Sequence, residues 1–165
     1  MDGSRGAAFE PSTGDGPSAT GPPGVRAGAV RTAFEGMMQI RRLTGAGPGP
    51  EGVPAAWELN RPVRAVALAL EAAGVPPSAT GPSGERTATG YRVCAGESPG
   101  AVRVEWVGPP GSGAAHDEEE ALGRCLTVLR RSGWTPLLYR GPRRRRFLEV
   151  EPPAGAARAK DGRGL

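Results

Sequence analysis

The clearest hydrophobic pattern in the chain is a helical stripe in its last third. Apolar residues recur there at the i, i+3, i+4 and i+7 spacing of one helix face; they are Ala121, Leu122, Cys125, Leu126 and Leu129. Asp117 and Glu120 precede the stripe as a D-x-x-E capping box. Arg130 and Arg131 follow it, before Gly133, where the helix dipole favours basic residues. The pattern predicts a helix from about residue 117 to residue 131.

A second helix is predicted just before the middle of the chain. Its apolar residues also follow helical spacing, and they are Val63, Val66, Ala67, Leu70 and Ala73. Asn60 is the predicted N-cap, and Pro62 lies in the first turn, where its missing N–H costs nothing. Gly74 and the two prolines after it end the pattern.

Strand patterns surround the later helix. Val102, Val104 and Trp106 alternate with Arg103 and Glu105, which is typical of a half-buried strand. Residues 90–94 pair with this strand as a first hairpin. Residues 136–140 and 146–151 form a second hairpin across Gly141-Pro142. We therefore expect an α+β, two-layer domain of αββαββ order, with a four-stranded, mainly antiparallel sheet and two helices on one face.

The 27 Gly and 18 Pro of this 165-residue chain lie mostly outside that pattern. The sequence predicts a disordered segment over residues 1–28 and a short amphipathic helix over residues 29–43. It then predicts a linker over residues 44–58, the α+β domain over residues 59–152 and a disordered tail over residues 153–165. The abundance of Ala, Gly, Pro and Arg indicates a GC-rich genome, in which reading frames often extend upstream of the true start. A start of translation at Met37 or Met38 is therefore a hypothesis, and the sequence leaves the choice between these residues and Met1 open.

Several short motifs of the domain resemble small uncharacterised actinobacterial proteins. These motifs are Tyr91-Arg-Val, Val102-Arg-Val-Glu-Trp106, Leu126-x-x-Leu129, Gly133-Trp134 and Phe147-Leu-Glu-Val150. They span about residues 62–151. The resemblance implies a fold of the same α+β kind, and it implies no activity, ligand or catalytic residue.

Few residues indicate catalytic or metal chemistry. Cys94, Cys125 and His116 lack the spacing of a metal site, and Cys125 is expected to act as a small core hydrophobe. The four acids at residues 117–120 point in different directions on a helix, so they cannot converge on one ion. We expect no metal, no cofactor, no small-molecule ligand and no enzyme activity. Without a signal peptide or an apolar stretch of membrane-spanning length, we expect a reduced, cytoplasmic protein.

Two glycine-rich stretches match known motifs only in form. Gly47–Gly52 reads G-x-G-x-x-G, but its two prolines prevent the helix that a dinucleotide site needs. Gly111-Ser112-Gly113 lacks the strand-to-helix turn that presents a nucleophilic serine. Both stretches are interpreted as loops.

The surplus of positive charge lies in the second half of the chain. Residues 1–84 carry seven basic and seven acidic groups, whereas residues 85–165 carry fourteen and ten. The stretch from Arg124 to Arg146 holds eight arginines and no acid. Seven of them are expected to form one basic surface, which Arg92 and Arg103 extend; the seven are Arg130, Arg131, Arg140, Arg143, Arg144, Arg145 and Arg146.

Two functions, and one structural alternative, fit this surface. The first is a non-enzymatic module that binds DNA or RNA phosphates without base specificity, because guanidinium groups bond phosphate oxygens in pairs. The second is a protein-interaction module, in which Val30 to Ile40 or a sheet edge docks on a partner. In the structural alternative the arginines are solvated, protect the sheet edge, or pair with Glu105, Glu149 and Glu151.

Overall fold

The computed structural model describes residues 9–44 and 52–153. They form four helices: α1 (Pro23–Thr44), α2 (Ala56–Asn60), α3 (Pro62–Ala72) and α4 (Ala114–Arg131). The strands are β1 (Ala79–Thr80), β2 (Arg86–Ala88), β3 (Gly90–Ala95), β4 (Val102–Val107), β5 (Thr135–Arg140) and β6 (Arg146–Glu151). A tight turn, Pro142–Arg144, connects β5 to β6. The predicted mixture of helices and strands is confirmed.

The main sheet has four antiparallel strands in the order β3-β4-β6-β5, and this part of the prediction is also confirmed. Its outer strands reach their neighbours through the two predicted hairpins. A second, two-stranded sheet of β1 and β2 lies between α3 and β3, and the sequence patterns did not predict it. The Ser78 hydroxyl donates a hydrogen bond to the Ala88 carbonyl over 2.7 Å and so adds a contact beside this sheet.

One hydrophobic core joins α3 and α4 to the main sheet. Most residues of both predicted helical stripes are buried in it, as are Trp106 and Trp134, whereas Ala73 is exposed and lies just beyond α3. Cys125 is buried as expected, and Cys94, on the opposite sheet face from Val93, is half-buried. Each fully buried Leu or Val side chain stabilises the fold by about 1.5–3 kcal/mol. This core holds the hairpin of β5 and β6 in place.

The helix ends differ from the predicted ends. Asn60 is the last residue of α2 and not the cap of α3, whose N-cap is Arg61. Helix α4 begins three residues earlier than predicted, so Asp117 and Glu120 do not form its capping box. Its N-cap is Gly113. Gly133, with a φ of 89°, lies directly beyond α4, as predicted from its freedom to adopt left-handed backbone.

Residues 9–28, which the sequence predicted to be disordered as part of residues 1–28, pack against the domain. Helix α1 begins at Pro23 and is longer than the predicted helix over 29–43. It continues through Gly36 because Val30 and Met37 are buried against Leu68. A chain that started at Met37 or Met38 would lack the Val30 contact, and that start stays a prediction. Residues 1–8 lie outside the described residues.

Residues 9–22, which we call the N-terminal strap, cross the domain beside β3. The Thr13 carbonyl accepts a hydrogen bond from the Val93 amide over 2.7 Å. The Ser12 amide donates to Glu71 in α3 over 2.8 Å. The strap therefore satisfies backbone groups at an edge of the main sheet, and its order comes from the domain and not from its own composition.

The predicted linker over residues 44–58 also holds structure. Helix α2 begins within it, and Glu58 of α2 forms a fully buried ion pair with Arg41 of α1, 2.6 Å between the nearest atoms. Glu58 also accepts the Ala55 amide hydrogen bond over 2.8 Å. A carboxylate and a guanidinium stay charged in a protein interior only when paired, so this contact ties α1 to α2. Residues 45–51 and 154–165 lie outside the described residues.

Candidate functional site

The hairpin of β5 and β6 brings four exposed arginines to its end. Arg140 is the last residue of β5, and Arg143, Arg144 and Arg145 lie in the turn. The Gly141 amide donates to the Arg145 carbonyl over 2.6 Å, and the Arg145 amide donates to the Pro142 carbonyl over 3.3 Å. We call Arg140, Arg143, Arg144 and Arg145 the arginine tip.

The turn holds two arginines in an unfavourable backbone conformation. Arg143 and Arg144 have φ of 62° and 61°, and they are the two non-glycine residues of the described chain with positive φ. They form a mirror-image β-turn, for which Asn-Gly is the favoured pair. A left-handed conformation costs a residue with a Cβ roughly 1–2 kcal/mol. Strained residues of this kind cluster at functional sites.

The side chains of the arginine tip have no partner among the described residues. None of the four makes a hydrogen bond or an ion pair that involves the guanidinium group within residues 9–44 and 52–153. Arg140 also faces Arg146 directly across the hairpin. Like charges in that position destabilise a hairpin. The tip is thus a local excess of positive charge that the fold itself does not neutralise.

Arg146 differs from its neighbours. Its amide donates to Glu118 of α4 over 2.7 Å, and its guanidinium lies 3.4 Å from Glu119. Two of the four acids at residues 117–120 therefore fasten the hairpin to α4. Arg146 is a structural residue of the site and not part of its exposed charge.

Arg130 and Arg131 do not join the tip, and the expectation of one basic surface is wrong. Strand β5 returns past α4 from the C-terminal end of the helix, so the turn reaches the N-terminal end, where Arg146 meets Glu118. Arg130 lies about 18 Å further along the helix axis than Glu118, at the α-helical rise per residue. Six of the seven predicted residues thus separate into the arginine tip and a pair at the opposite end of the helix, and the seventh, Arg146, is bonded to α4.

The arginines of the outer sheet face, opposite the core, are engaged. Arg92 bonds Asp15 of the strap over 2.8 Å and Glu105 of β4 over 2.7 Å. The hydrogen bond to Asp15 raises the pKa of the Arg92 guanidinium. The guanidinium of Arg103 lies 3.9 Å from the centre of the Phe147 ring. Arg92 therefore does not extend the exposed charge, whereas Arg103 brings a cation close to the hairpin.

An aromatic pair beside the tip was missed in the sequence. Tyr139 and Phe147 face each other across the hairpin, with ring centres 5.8 Å apart and planes 21° from parallel. Tyr139 is 45% exposed. The sequence contained the information needed to predict this pair. Tyr139 and Phe147 are each four residues from Arg143, so they lie opposite each other in a hairpin centred on Arg143.

Other candidate groups do not assemble. His116 lies in the first turn of α4, and no group of three His, Cys, Asp or Glu within the described ranges could hold a metal ion. Burial raises the pKa of the Cys125 thiol to about 12. Burial also raises the pKa of Cys94. The residues of the Gly47–Gly52 stretch before Gly52 lie outside the described residues, and Gly111-Ser112-Gly113 forms the loop that leads into α4.

The amphipathic segment from Val30 to Ile40 is used within the chain. Its buried residues, Val30 and Met37, pack against Leu68 of α3. The domain therefore already covers the side of the helix that holds Val30 and Met37, and docking of this segment on a partner stays a prediction. Beside it, a cleft of about 700 Å³ is walled by Arg26 and Glu71, which bond each other over 2.8 Å. Arg26 and Glu71 thus satisfy each other's charge, and Arg31, which also lines the cleft, is exposed.

No helix within the described residues has the length and apolar character needed to span a membrane. Comparisons of the chain with protein-family models, with curated proteins and with solved structures found no match. The resemblance to small actinobacterial proteins therefore stays a prediction. What the chain does has to be inferred from the geometry of the hairpin.

Proposed function

We propose that this chain is a small non-enzymatic module that binds the phosphates of nucleic acid through the arginine tip, without base specificity. One observation carries the proposal. Arg143 and Arg144 occupy consecutive left-handed positions, and their side chains have no partner among the described residues. A cluster of exposed guanidinium groups is suited to phosphate oxygens, and its binding releases counterions.

The structural alternative accounts for this turn less well. If the turn only had to be soluble, Asn-Gly would supply the same reversal of the chain without strain. Protection of the sheet edge needs charge along the strand, but only Arg140 of the tip lies on β5. Cross-strand pairing accounts for Arg92 with Glu105 and for none of the tip residues. Placing two arginines in the turn thus costs stability, which favours a role in binding over one in solubility alone.

The rest of the domain serves this proposal as a rigid support. We propose that the αββαββ unit, with α3 and α4 on one face of the sheet, is the part that presents the hairpin. The bond from the Arg146 amide to Glu118 fixes the base of the turn against α4. A held turn presents its charges with less loss of conformational entropy on binding.

The proposal is tested by fluorescence anisotropy of labelled oligonucleotides at low salt. The double variant Arg143→Asn/Arg144→Gly removes two charges and gives the turn its favoured residues, so the hairpin stays folded. We expect this variant to bind at least about tenfold more weakly than the original chain, since each phosphate contact of an arginine contributes roughly 1 kcal/mol or more.

The matched control is Arg130→Ser/Arg131→Ser, which removes the same charge from the opposite end of α4. Its affinity should stay within about twofold of the original, because these residues lie far from the bound phosphates. Equal weakening by both variants would show that net charge alone binds the oligonucleotide. Absence of binding at low salt would overturn the proposal outright.

Protein binding at the sheet edge is a second candidate function, and β5 favours it. Within the described residues β5 pairs only with β6, and Leu137 and Leu138 are 42% and 47% exposed. An apolar edge strand can add a strand from a partner. Proteins that co-purify after nuclease treatment, and are lost from a Leu138→Lys variant, would support this candidate.

A further inference from the structure

The ring of Tyr139 offers a surface that phosphate binding alone does not use. Tyr139 and Phe147 lie on the outer sheet face, in the positions that flank the turn, and their rings are stacked. Tyr139 is one of the two tyrosines in the chain, and 45% of it is exposed to solvent. An exposed ring costs hydration free energy that burial would recover. Its place next to the arginine tip suggests a use for it.

Phe147 holds this ring in a defined orientation. The Phe147 ring contacts Tyr139 on the neighbouring strand and lies under the guanidinium of Arg103, 3.9 Å from the ring centre. An offset stack of this kind restricts both rings to a narrow set of angles. The exposed side of Tyr139 is therefore a fixed, flat surface, which is what a stacking partner needs.

The charges around the ring pair favour an anionic ligand. Glu105 on this face is bonded to Arg92 over 2.7 Å. Glu149 is buried and accepts the Glu97 amide hydrogen bond over 3.2 Å. Arg103 pairs with the exposed carboxylate of Glu97 over 3.7 Å. The cations near the rings that stay unpaired among the described residues are therefore the guanidinium groups of the arginine tip. A flat ring bordered by unpaired cations suits a ligand that has both aromatic faces and phosphates.

We propose that the ligand is single-stranded nucleic acid, with one base stacked on Tyr139 and the adjoining phosphates on the arginine tip. This inference rests on the proposed function and deepens it. In a duplex each base is stacked between its neighbours, so Tyr139 has no base face to contact. A single strand exposes base faces, and stacking on an aromatic side chain tolerates any base. A protein partner would use the apolar edge without needing the arginines.

The test measures anisotropy for four labelled probes of about 12 nucleotides, a length in the range that small single-strand sites cover. The probes are single-stranded DNA, single-stranded RNA, the matching DNA duplex and an abasic DNA strand of the same length. The original chain should bind the two base-bearing single strands about tenfold more tightly than the duplex or the abasic strand, as one base stack provides. The two single-stranded probes identify whether DNA or RNA is preferred.

The variant Tyr139→Ser should lose that tenfold advantage and bind all four probes alike, whereas Tyr139→Phe should keep it. Leu138→Ser is the matched control, since Leu138 is equally exposed on the same strand but faces the other side of the sheet. It should leave every affinity within about twofold, because it removes no stacking surface. The comparison of the abasic strand with the base-bearing strands uses the original chain alone, so it tests the inference even if a substitution alters folding.

The outcomes separate the two proposals. Equal binding of base-bearing and abasic strands, with weakening by Arg143→Asn/Arg144→Gly, would overturn the stacking inference and leave phosphate binding intact. Preference for the duplex would overturn it as well. If no probe binds at low salt, both proposals fail.

Discussion

The N-terminal strap and the arginine tip are both surrounded by arginines, and the two regions use them in opposite ways. Around the strap, Arg26 bonds Glu71, Arg92 bonds Asp15, and Arg86 donates to the Gly14 carbonyl. Around the tip, four guanidinium groups have no such partner among the described residues. The same residue type thus stabilises the fold where acids and carbonyls surround it, and remains available to a ligand where the fold supplies none.

The largest expected effect comes from the buried arginine that ties α1 to α2. Arg41→Met leaves Glu58 charged and buried without its cation, which should lower the free energy of unfolding by about 3–5 kcal/mol. Urea unfolding followed by tryptophan fluorescence measures this. The double variant Arg41→Met/Glu58→Gln keeps an acceptor for the Ala55 amide and should recover most of the loss. If the single variant lost less than about 1 kcal/mol, that result would contradict the conclusion that Arg41 stabilises the fold through its ion pair with Glu58.

The strap should show the next largest effect. Glu71→Ala removes the acceptor for Arg26 and for the Ser12 amide, at 2.8 Å each, and should cost about 1.5–3 kcal/mol of stability. Limited proteolysis should then cut within residues 9–22, and the same urea series gives the free energy. Arg31→Ala, at an exposed position of α1, serves as control and should change stability by less than about 0.5 kcal/mol.

At the arginine tip, in contrast, substitution should increase the free energy of unfolding. Arg143→Asn/Arg144→Gly replaces two strained residues by the favoured pair of this turn and should raise the free energy of unfolding by about 1–2 kcal/mol. Thermal unfolding followed by circular dichroism measures the gain. Arg145→Ser removes a charge from a position with ordinary backbone angles and should leave stability nearly unchanged. A less stable Asn-Gly variant would show that these arginines hold the turn together.

The smallest effect concerns pH. Burial by itself raises the pKa of Asp15, but hydrogen bonds from Arg92 and Arg86 outweigh it and hold that pKa below its ordinary value of 3.8. The carboxylate therefore stabilises the fold above that value, and the contribution is lost as the pH falls below it and through the lowered pKa. The original chain and the Asp15→Asn variant should differ in free energy of unfolding by a constant amount near pH 6. This difference should shrink towards zero in acid. A gap that widens in acid would contradict this sign.

Much of the domain could be predicted because its signals are local. Strict alternation at Val102, Val104 and Trp106 marks a strand that is buried on one side. The stripe from Ala121 to Leu129 marks a buried helix face. The strap could not be predicted in this way, because Ser12, Thr13 and Asp15 are ordered by partners far along the chain. Composition describes what a segment can bury by itself and not what a neighbouring domain provides.

The sequence predicted which type of residue forms the candidate site, but it did not predict how those residues are arranged. The run from Arg143 to Arg146 is visible in the sequence, but the left-handed turn is a property of backbone angles. The separation of Arg130 from Arg143 follows from the direction of β5, which returns along α4 after a short connection. Tyr139 and Phe147 were predictable as opposite residues of the hairpin, since the strands meet symmetrically around Arg143.

In the proposed function the tip arginines bind phosphates because of their position and not because of the net charge of the chain. The decisive measurement is the salt dependence of single-strand affinity for the original chain, Arg143→Asn/Arg144→Gly and Arg130→Ser/Arg131→Ser. The account predicts that the slope of log affinity against log salt falls by about one for each lost phosphate contact in the tip variant, and stays unchanged in the other. Identical slopes in the two variants would contradict it.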